Sequence, residues 1–283
     1  MSKPSTEFGW KEEDFQLLLD TCKYDEEVQI AKRHIELHGG QEQNILELGA
    51  GLGRIVKYFK DEGYQNIHGI ELNGTAVKYL NEKYPELDVI QGDVLSLPYP
   101  PASFDVVLSY GLVEHFIPGL ATPLKAHFDA LKPGSIAVIT VPSMNFMRRF
   151  VNRCGKISTI IDPRKNVLVR KLLKKPDFAK RNAGGKFQYY VHPPYGDFFE
   201  YRLTPREYET ACKTAGFTIL ESTPIMHPDG LYHLIGSRLG IIRHENHRFV
   251  VSLLGKIIIA TSKRIRFFNN HMHLVVVQKP FTS

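Results

Sequence analysis

The feature that most constrains this chain is a glycine-rich junction at residues 44–54, which read NILELGAGLGR. An apolar run ends at Gly49, and a pattern typical of a helix begins after Gly53. Glycines at a strand-to-helix turn give the backbone conformations that other residues avoid, and they let a ligand approach the main chain closely. The junction therefore predicts a ligand site at the end of a parallel strand.

Short runs rich in Val, Ile and Leu alternate with amphipathic stretches of helical length from residue 44 to residue 143. The predicted strands are NILELGAG, NIHGIELN, LDVIQGD, FDVVLSYG and SIAVITVPS, followed later by FTILESTPI and HMHLVVVQKP. Continuously apolar strands are typical of a sheet that is buried on both faces. Because they alternate with helices, the pattern predicts a doubly wound α/β fold with a mostly parallel, seven-stranded sheet.

The remaining segments predict a division of the chain into three parts. Residues 1–40 are predicted to form an N-terminal helical cap. Residues 41–143 and 204–283 are predicted to form the sheet domain. The strand-helix repeat breaks in 144–203, and this segment, together with 227–268, is predicted to form a lid over a substrate.

Carboxylates stand at the predicted carboxyl ends of three strands. Glu47 lies just before the glycine turn, Glu71 ends the second strand, and Asp93 ends the third. Arg54 stands where a dinucleotide fingerprint has its third glycine, which argues against a pyrophosphate. These acids instead favour a ligand with ribose hydroxyls, an amino group and a positive charge.

The segments ILELGAGLGRI, GIELN, QGD and FDVVLSYGLVEHF together resemble the class I S-adenosylmethionine-dependent methyltransferases. The resemblance implies a Rossmann-like fold with a C-terminal antiparallel hairpin, S-adenosyl-L-methionine as cofactor and S-adenosyl-L-homocysteine as product. The residues that it assigns to the cofactor are Glu47, Gly49, Gly51, Gly53, Glu71, Leu72, Asp93, Val94 and Ser109.

The candidate catalytic residues follow the fourth strand. They are Tyr110, Glu114 and His115, with His115 either a base that activates the acceptor or a residue that only shapes the site. No metal is expected, because methyl transfer from a sulfonium requires none and His271-x-His273 is a weak signal without a third ligand. Aromatic and histidine residues outside the sheet are the candidate acceptor contacts: Tyr189, His192, Tyr195, His227 and Tyr232.

The acceptor is expected to be a small molecule methylated at oxygen or sulfur. A lipid or quinone-like acceptor at a membrane is an alternative, because residues 148–181 carry a net charge of +10 and residues 238–266 a net charge of +6. RNA is a less favoured acceptor, and a non-catalytic cofactor-binding subunit or an aminopropyl transferase are further alternatives. Three scattered cysteines and the absence of an apolar leader in the first ten residues predict a cytoplasmic protein.

Overall fold

The twelve strands named below position the candidate site. In this computed structural model the described residues are 15–116, 118–153, 180–181, 187–191, 197–236, 239–245 and 248–281. The strands are β1 Ile45–Leu48, β2 Ile67–Glu71, β3 Asp88–Gln91, β4 Phe104–Tyr110, β5 Leu131–Pro142, β6 Lys180–Arg181, β7 Phe187–Val191, β8 Asp197–Tyr201, β9 Thr218–Ile225, β10 Ile242–Glu245, β11 Arg248–Val251 and β12 Met272–Gln278.

Seven of these strands form one sheet in the order β3-β2-β1-β4-β5-β12-β9. The five strands from β3 to β5 are parallel, and β12 runs antiparallel to both β5 and β9. The predicted seven-stranded sheet with its C-terminal antiparallel hairpin is therefore confirmed. The chain order reverses between β1 and β4, and such a switch point opens a crevice at the carboxyl ends of the strands.

The helices lie between the strands and at the two ends of the described chain. They are α1 Phe15–Thr21, α2 Glu26–Leu37, α3 Arg54–Asp61, α4 Gly74–Lys83, α5 Ala121–Ala130, α6 Phe146–Arg153, α7 Pro205–Thr214, α8 His227–Leu231 and α9 Leu253–Ser262. The capping box that begins α7 uses Thr204, as its sequence predicts, because Thr204 and Glu207 each accept from the other's backbone amide.

Apolar side chains cover both faces of the sheet. One layer includes Ile45, Val106 and Val138, and the other includes Leu46 and Val107. Every residue of β1 is buried, so Glu47 is a carboxylate in an otherwise apolar strand. A buried carboxylate is costly unless something compensates it, which directs attention to the carboxyl end of β1.

Two segments contain more strand than the sequence predicts. Within 144–203, strands β6 to β8 form a small antiparallel sheet, and within 227–268, β10 and β11 form a hairpin between α8 and α9. The ends of the first segment meet, because the amide of Met144 donates to the carbonyl of Leu203 at 2.8 Å. The assignment of both segments to a lid stays a prediction.

Among the residues that the structure describes, no helix combines the length and apolar character needed to cross a bilayer.

Candidate cofactor and acceptor site

The turn between β1 and α3 is built from three glycines in left-handed conformations. Gly49, Gly51 and Gly53 have φ values of +78°, +56° and +72°. Residues with a side chain rarely adopt such angles, so the turn requires glycine for its backbone path. A Cβ at Gly49 would lie 3.0 Å from Leu112 Cδ1, so the missing side chain also makes room for the segment that follows β4.

Glu71 ends β2 and holds this turn in place. Its Oε2 accepts from the amide of Gly51 at 2.7 Å, and its Oε1 accepts from the amide of Asn73 at 2.8 Å. Each carboxylate oxygen has two lone pairs, so both oxygens retain capacity for a further donor. The side chain is partly exposed, which places that capacity at an accessible surface.

Two buried polar atoms at the same edge of the sheet lack partners within the described part of the chain. They are Oε2 of Glu47, at the end of β1, and the hydroxyl of Tyr110, at the end of β4. Burial raises the pKa of Glu47 well above its usual value, Arg54 lowers it, and Glu71 adds to the increase. Burial likewise raises the pKa of Tyr110. Buried polar atoms of this kind are rare in folded proteins and call for a physical explanation.

Arg54, the first residue of α3, joins the glycine turn to the N-terminal helices. Its guanidinium lies 2.8 Å from Asp25 Oδ2 and 2.9 Å from Glu27 Oε1, and it donates to the sulfur of Cys22 at 3.3 Å. The Glu27 side chain is almost fully buried, so this pair lies in the interior. This connection joins the segment predicted as an N-terminal cap to the glycine turn, and the role of that segment as a cap stays a prediction.

The other predicted cofactor residues occupy different surroundings. Leu72 is 45% exposed, which leaves an apolar side chain uncovered beside Glu71. Asp93 is exposed, and its Oδ1 accepts from the amide of Leu95 at 2.9 Å, so it caps the turn after β3. Val94 is buried in the same core layer as Ile70. All three lie at the carboxyl ends of β2 and β3, and their roles stay predictions.

The segment after β4 forms a short 3-10 helix, Val113–His115, that carries the candidate catalytic pair. Nε2 of His115 lies 3.8 Å from Oε1 of Glu114. Glu114 is fully buried and its Oε2 has no partner among the described residues, so burial raises its pKa well above the usual value. The buried Glu114 carboxyl group therefore lies beside the partly exposed His115 ring. Ser109, at the end of β4, is also fully buried.

A second polar cluster at the carboxyl edge was missed by the sequence analysis as a group. Ligand-type atoms of Asp229, His233 and His271 all lie within 4.8 Å of one another. The Nε2 of His233 is 3.0 Å from Asp229 Oδ1, and His271 Nδ1 is 3.4 Å from Asp229 Oδ2. The spacing Asp229-x-x-x-His233 places these two residues one helical turn apart, and this could have been recognised in the sequence. The third residue, His271, lies just before β12 and could not.

Arg148 on α6 supplies the positive charge in this cluster. Its Nη2 lies 2.8 Å from His271 Nδ1, and its Nη1 donates to the carbonyl of Ser143 at 2.7 Å. Burial, opposed by Asp229 and reinforced by Arg148, lowers the pKa of His271 to about 3. Burial acts to raise the pKa of Asp229, but the hydrogen bond from His233 and the nearby charges lower it overall. An ionised Asp229 and Arg148 therefore balance each other around a neutral imidazole.

The remaining predicted acceptor residues are distributed unevenly. His227 is buried, and its Nδ1 lies 3.0 Å from Asn269 Oδ1. The ring of Tyr232 packs at 5.5 Å from that of Phe249, in a small apolar cluster beneath the β10–β11 hairpin. Tyr189 lies on β7, and His192 and Tyr195 lie outside the described residues. All five stay predictions as acceptor contacts.

Comparison with known proteins gives the same assignment as this geometry. Residues 46–139 match the family model described as a methyltransferase domain. This stretch contains the glycine turn, Glu71, Asp93 and the His115 segment. The domain belongs to the class I S-adenosylmethionine-dependent methyltransferase superfamily. S-adenosylmethionine is the cofactor of that superfamily.

Relatives share the methyltransferase domain but not the whole chain. A probable S-adenosylmethionine-dependent methyltransferase of Mycolicibacterium smegmatis is 28% identical over 101 residues, covering 36% of this chain and 38% of its own length. Phosphoethanolamine N-methyltransferase 2 of Caenorhabditis elegans is 32% identical over 123 residues, covering 42% and 28%. The chain thus matches less than two fifths of either relative's length.

A solved S-adenosylmethionine-dependent methyltransferase from Methanosarcina mazei has the same fold. It superposes with a TM-score of 0.54 at 14% identity, and the alignment covers 87% of this chain and 97% of that one. Because the alignment extends well beyond residues 46–139, the sheet and its flanking layers share one architecture. At 14% identity, this similarity shows the fold alone.

Proposed function

We propose that the methyltransferase domain binds S-adenosylmethionine across the glycine turn and transfers its methyl group to an oxygen or sulfur atom of a small-molecule acceptor. The observation that carries the proposal is the pair of buried, unpartnered atoms on Glu47 and Tyr110, beside a Glu71 carboxylate with capacity for further donors. Each unsatisfied buried group costs roughly 1–3 kcal/mol, and a bound ligand that supplies donors removes that cost.

The three carboxylates can accept hydrogen bonds from three different parts of the cofactor. Ribose hydroxyls can donate to Glu71, the methionine ammonium can donate to Glu47, and the adenine amine can donate to Asp93. The left-handed turn from Gly49 to Gly53 lets the cofactor lie against the main chain. When bound, the cofactor supplies an electrophilic methyl group on a positively charged sulfur.

The task of the protein is to position the acceptor in line with that methyl group and to exclude water. The end of β4 lies next to the cofactor turn in the sheet order, so His115 and Glu114 are the side chains best placed beside the reacting atoms. His115 can accept the acceptor's proton, and the buried Glu114 carboxyl group lies 3.8 Å from its Nε2. A hydroxyl or thiol acceptor benefits from such a base.

The cluster of Asp229, His233, His271 and Arg148 lies at the same edge, beyond β5, where β12 begins. We assign it to recognition of a polar part of the acceptor and not to a metal ion. The guanidinium of Arg148 contacts Nδ1 of His271 and balances Asp229, so the cluster needs no cation for neutrality. The exposed ring of His233 can bind a polar group of the acceptor, and Arg148 supplies positive charge to the cluster.

The proposal is tested by incubating the purified chain with methyl-labelled S-adenosylmethionine and fractionated cell metabolites. Label should move to a small organic product, which mass spectrometry then identifies. Cofactor binding without transfer to any fraction would contradict enzymatic function and support a cofactor-binding subunit. Transfer to RNA in place of metabolites would contradict the acceptor class alone.

We expect His115→Asn to lower turnover by roughly 10²- to 10⁴-fold while leaving the Kd for the cofactor unchanged, because a general base acts only in the chemical step. Steady-state kinetics and calorimetry measure the two quantities. His68→Asn is the matched control, since His68 is also partly exposed beside a carboxylate, Asp88. An equal loss of turnover and affinity in His115→Asn would reject the role of base.

We also expect the affinity for S-adenosylmethionine to rise with pH. Burial raises the pKa of Glu47 in the free protein, and an ammonium group beside it would favour the ionised form. Binding then releases a proton, and a step that releases protons strengthens as pH rises. Calorimetry in buffers of different ionisation enthalpy counts that proton. The proton release should be absent in Glu47→Gln. If Glu47→Gln still releases a proton on binding the cofactor, that proton comes from another group.

A further inference from the structure

Helix α9 presents an apolar surface to solvent. Leu253 is 77% exposed, and Leu254 and Ile257 are each 56% exposed. Ile265, just beyond the helix, is 57% exposed, and Leu239, which lies before β10, is 65% exposed. Single exposed apolar residues are ordinary, but several large ones within one short segment mark an interaction site. We call the surface formed by Leu253, Leu254 and Ile257 the α9 face.

The opposite side of α9 fixes the helix to the protein. A Cβ at Gly255 would lie 2.7 Å from Val251 Cγ1 and 2.9 Å from Ile241 Cγ2, so the helix packs closely on the strands before it. Ile258 and Ile259 complete that inner contact. Because the inner side is already occupied, the outer leucines are not a displaced part of the core.

Positive charge surrounds the α9 face. Lys256 and Arg264 are exposed, and neither forms an ion pair within the described part of the chain. Lys263 is 3.1 Å from Glu26 Oε1. Counting the sequence from 238 to 266 gives seven basic residues against Glu245, a net charge of +6. Lys256 on α9 and Arg264 just beyond it therefore add positive charge that no described carboxylate neutralises.

We infer that the α9 face docks on an anionic lipid surface, with α9 lying in the plane of the headgroups. Interfacial helices combine large apolar side chains with lysine and arginine in this way, and the negative surface of a bilayer attracts the cationic rim. A second copy of the chain is the poorer occupant. A two-fold contact through this face would bring Lys256 and Arg264 close to the same cations of the partner, and like charges oppose such a contact.

The test is flotation of the full chain with lipid vesicles, without acceptor or cofactor, so that its outcome is independent of methyl transfer. The chain should float with vesicles of phosphatidylglycerol and phosphatidylcholine at low salt, and salt should weaken the association. Vesicles of phosphatidylcholine alone should retain much less protein. Failure to float with the anionic vesicles overturns the inference.

Two double variants assign the binding to this face. Leu253→Ser with Ile257→Ser should lower the partition coefficient by roughly tenfold or more, since two large apolar side chains no longer enter the interface. The matched control is Leu37→Ser with Leu220→Ser, which are 73% and 42% exposed elsewhere. The double variant Lys256→Gln with Arg264→Gln should also lower the partition coefficient by roughly tenfold or more. Its control is the double variant Lys78→Gln with Lys125→Gln, which removes two exposed lysines elsewhere.

Circular dichroism and thermal unfolding confirm that each variant is folded before it is compared. Equal binding by the α9 variants and their controls would overturn the inference and place the contact on another part of the chain. A wild-type dimer that only the α9 variants dissociate, with no vesicle binding, would identify a second copy as the occupant. Binding to RNA in preference to anionic vesicles would also overturn it.

Discussion

Replacing Arg54 with leucine should destabilise the protein by roughly 3–5 kcal/mol, because it leaves buried carboxylates without their counter-ion. Glu27 is almost fully buried at 2.9 Å from the Arg54 guanidinium, and Asp25 lies at 2.8 Å. Burial raises the pKa of Glu27, and Arg54 is the group that opposes that increase. Arg54 also lowers the pKa of Glu47, so the loss extends to the cofactor edge.

Denaturant unfolding of Arg54→Leu measures this loss directly. Lys78→Leu is the control, since Lys78 is an exposed partner of Glu82 at 3.8 Å, and its effect should stay within about 0.5 kcal/mol. The double variant Arg54→Leu with Glu27→Leu should recover part of the stability, because it removes one of the stranded charges. A small effect of Arg54→Leu alone would mean that water or other groups stabilise Glu27.

Glu71→Ala should weaken binding of S-adenosylmethionine by roughly a hundredfold or more. The substitution removes the proposed acceptor of two ribose hydroxyls, and hydrogen bonds to charged groups contribute about 1.5–3 kcal/mol each. It also frees the amides of Gly51 and Asn73, which Glu71 now holds at 2.7 and 2.8 Å. The glycine turn then loses its alignment to the end of β2.

Calorimetry with the cofactor tests this expectation. Glu71→Gln should show a smaller loss, because its amide oxygen still accepts a hydrogen bond but the charge is gone. Glu62→Ala removes an exposed carboxylate, paired with Lys32, that lies away from the turn, and it should leave the affinity unchanged. If Glu71→Ala binds the cofactor as the wild type does, the proposed cofactor site is wrong.

The cofactor half of the site is local in sequence, and this is why its strands could be predicted from residues alone. The glycine turn, Glu71 and Asp93 each follow a strand directly, and parallel strands bring their carboxyl ends to one edge. The apolar runs were long enough to define the seven strands and the final hairpin. The role of Arg54 could not be predicted in this way, because it depends on a contact with Glu27 of α2, 27 residues earlier in the chain.

The cluster proposed to bind the acceptor could not be predicted, because its residues meet only through long-range packing. Asp229 and His271 are joined by the approach of α8 to the loop before β12. A Cβ at Gly230 would lie 1.7 Å from the carbonyl oxygen of Asn269, so that approach is main chain against main chain. Arg148 lies on α6, in a segment whose sequence shows no repeat of strands and helices. The hairpin β10–β11 also escaped prediction, since its first strand, Ile242–Glu245, is polar and exposed after Ile242 and gives no apolar run.

The meeting of Met144 with Leu203 has a consequence for how such a protein can diversify. Since the polypeptide leaves the sheet and returns to it at neighbouring points, residues 145–202 can be exchanged as a unit without reconnecting the rest of the domain. Arg148 would travel with that unit, whereas Glu47 and Glu71 would remain. Under the proposed roles of these residues, a chimera built at this junction would bind a different methyl acceptor and keep the same methyl donor.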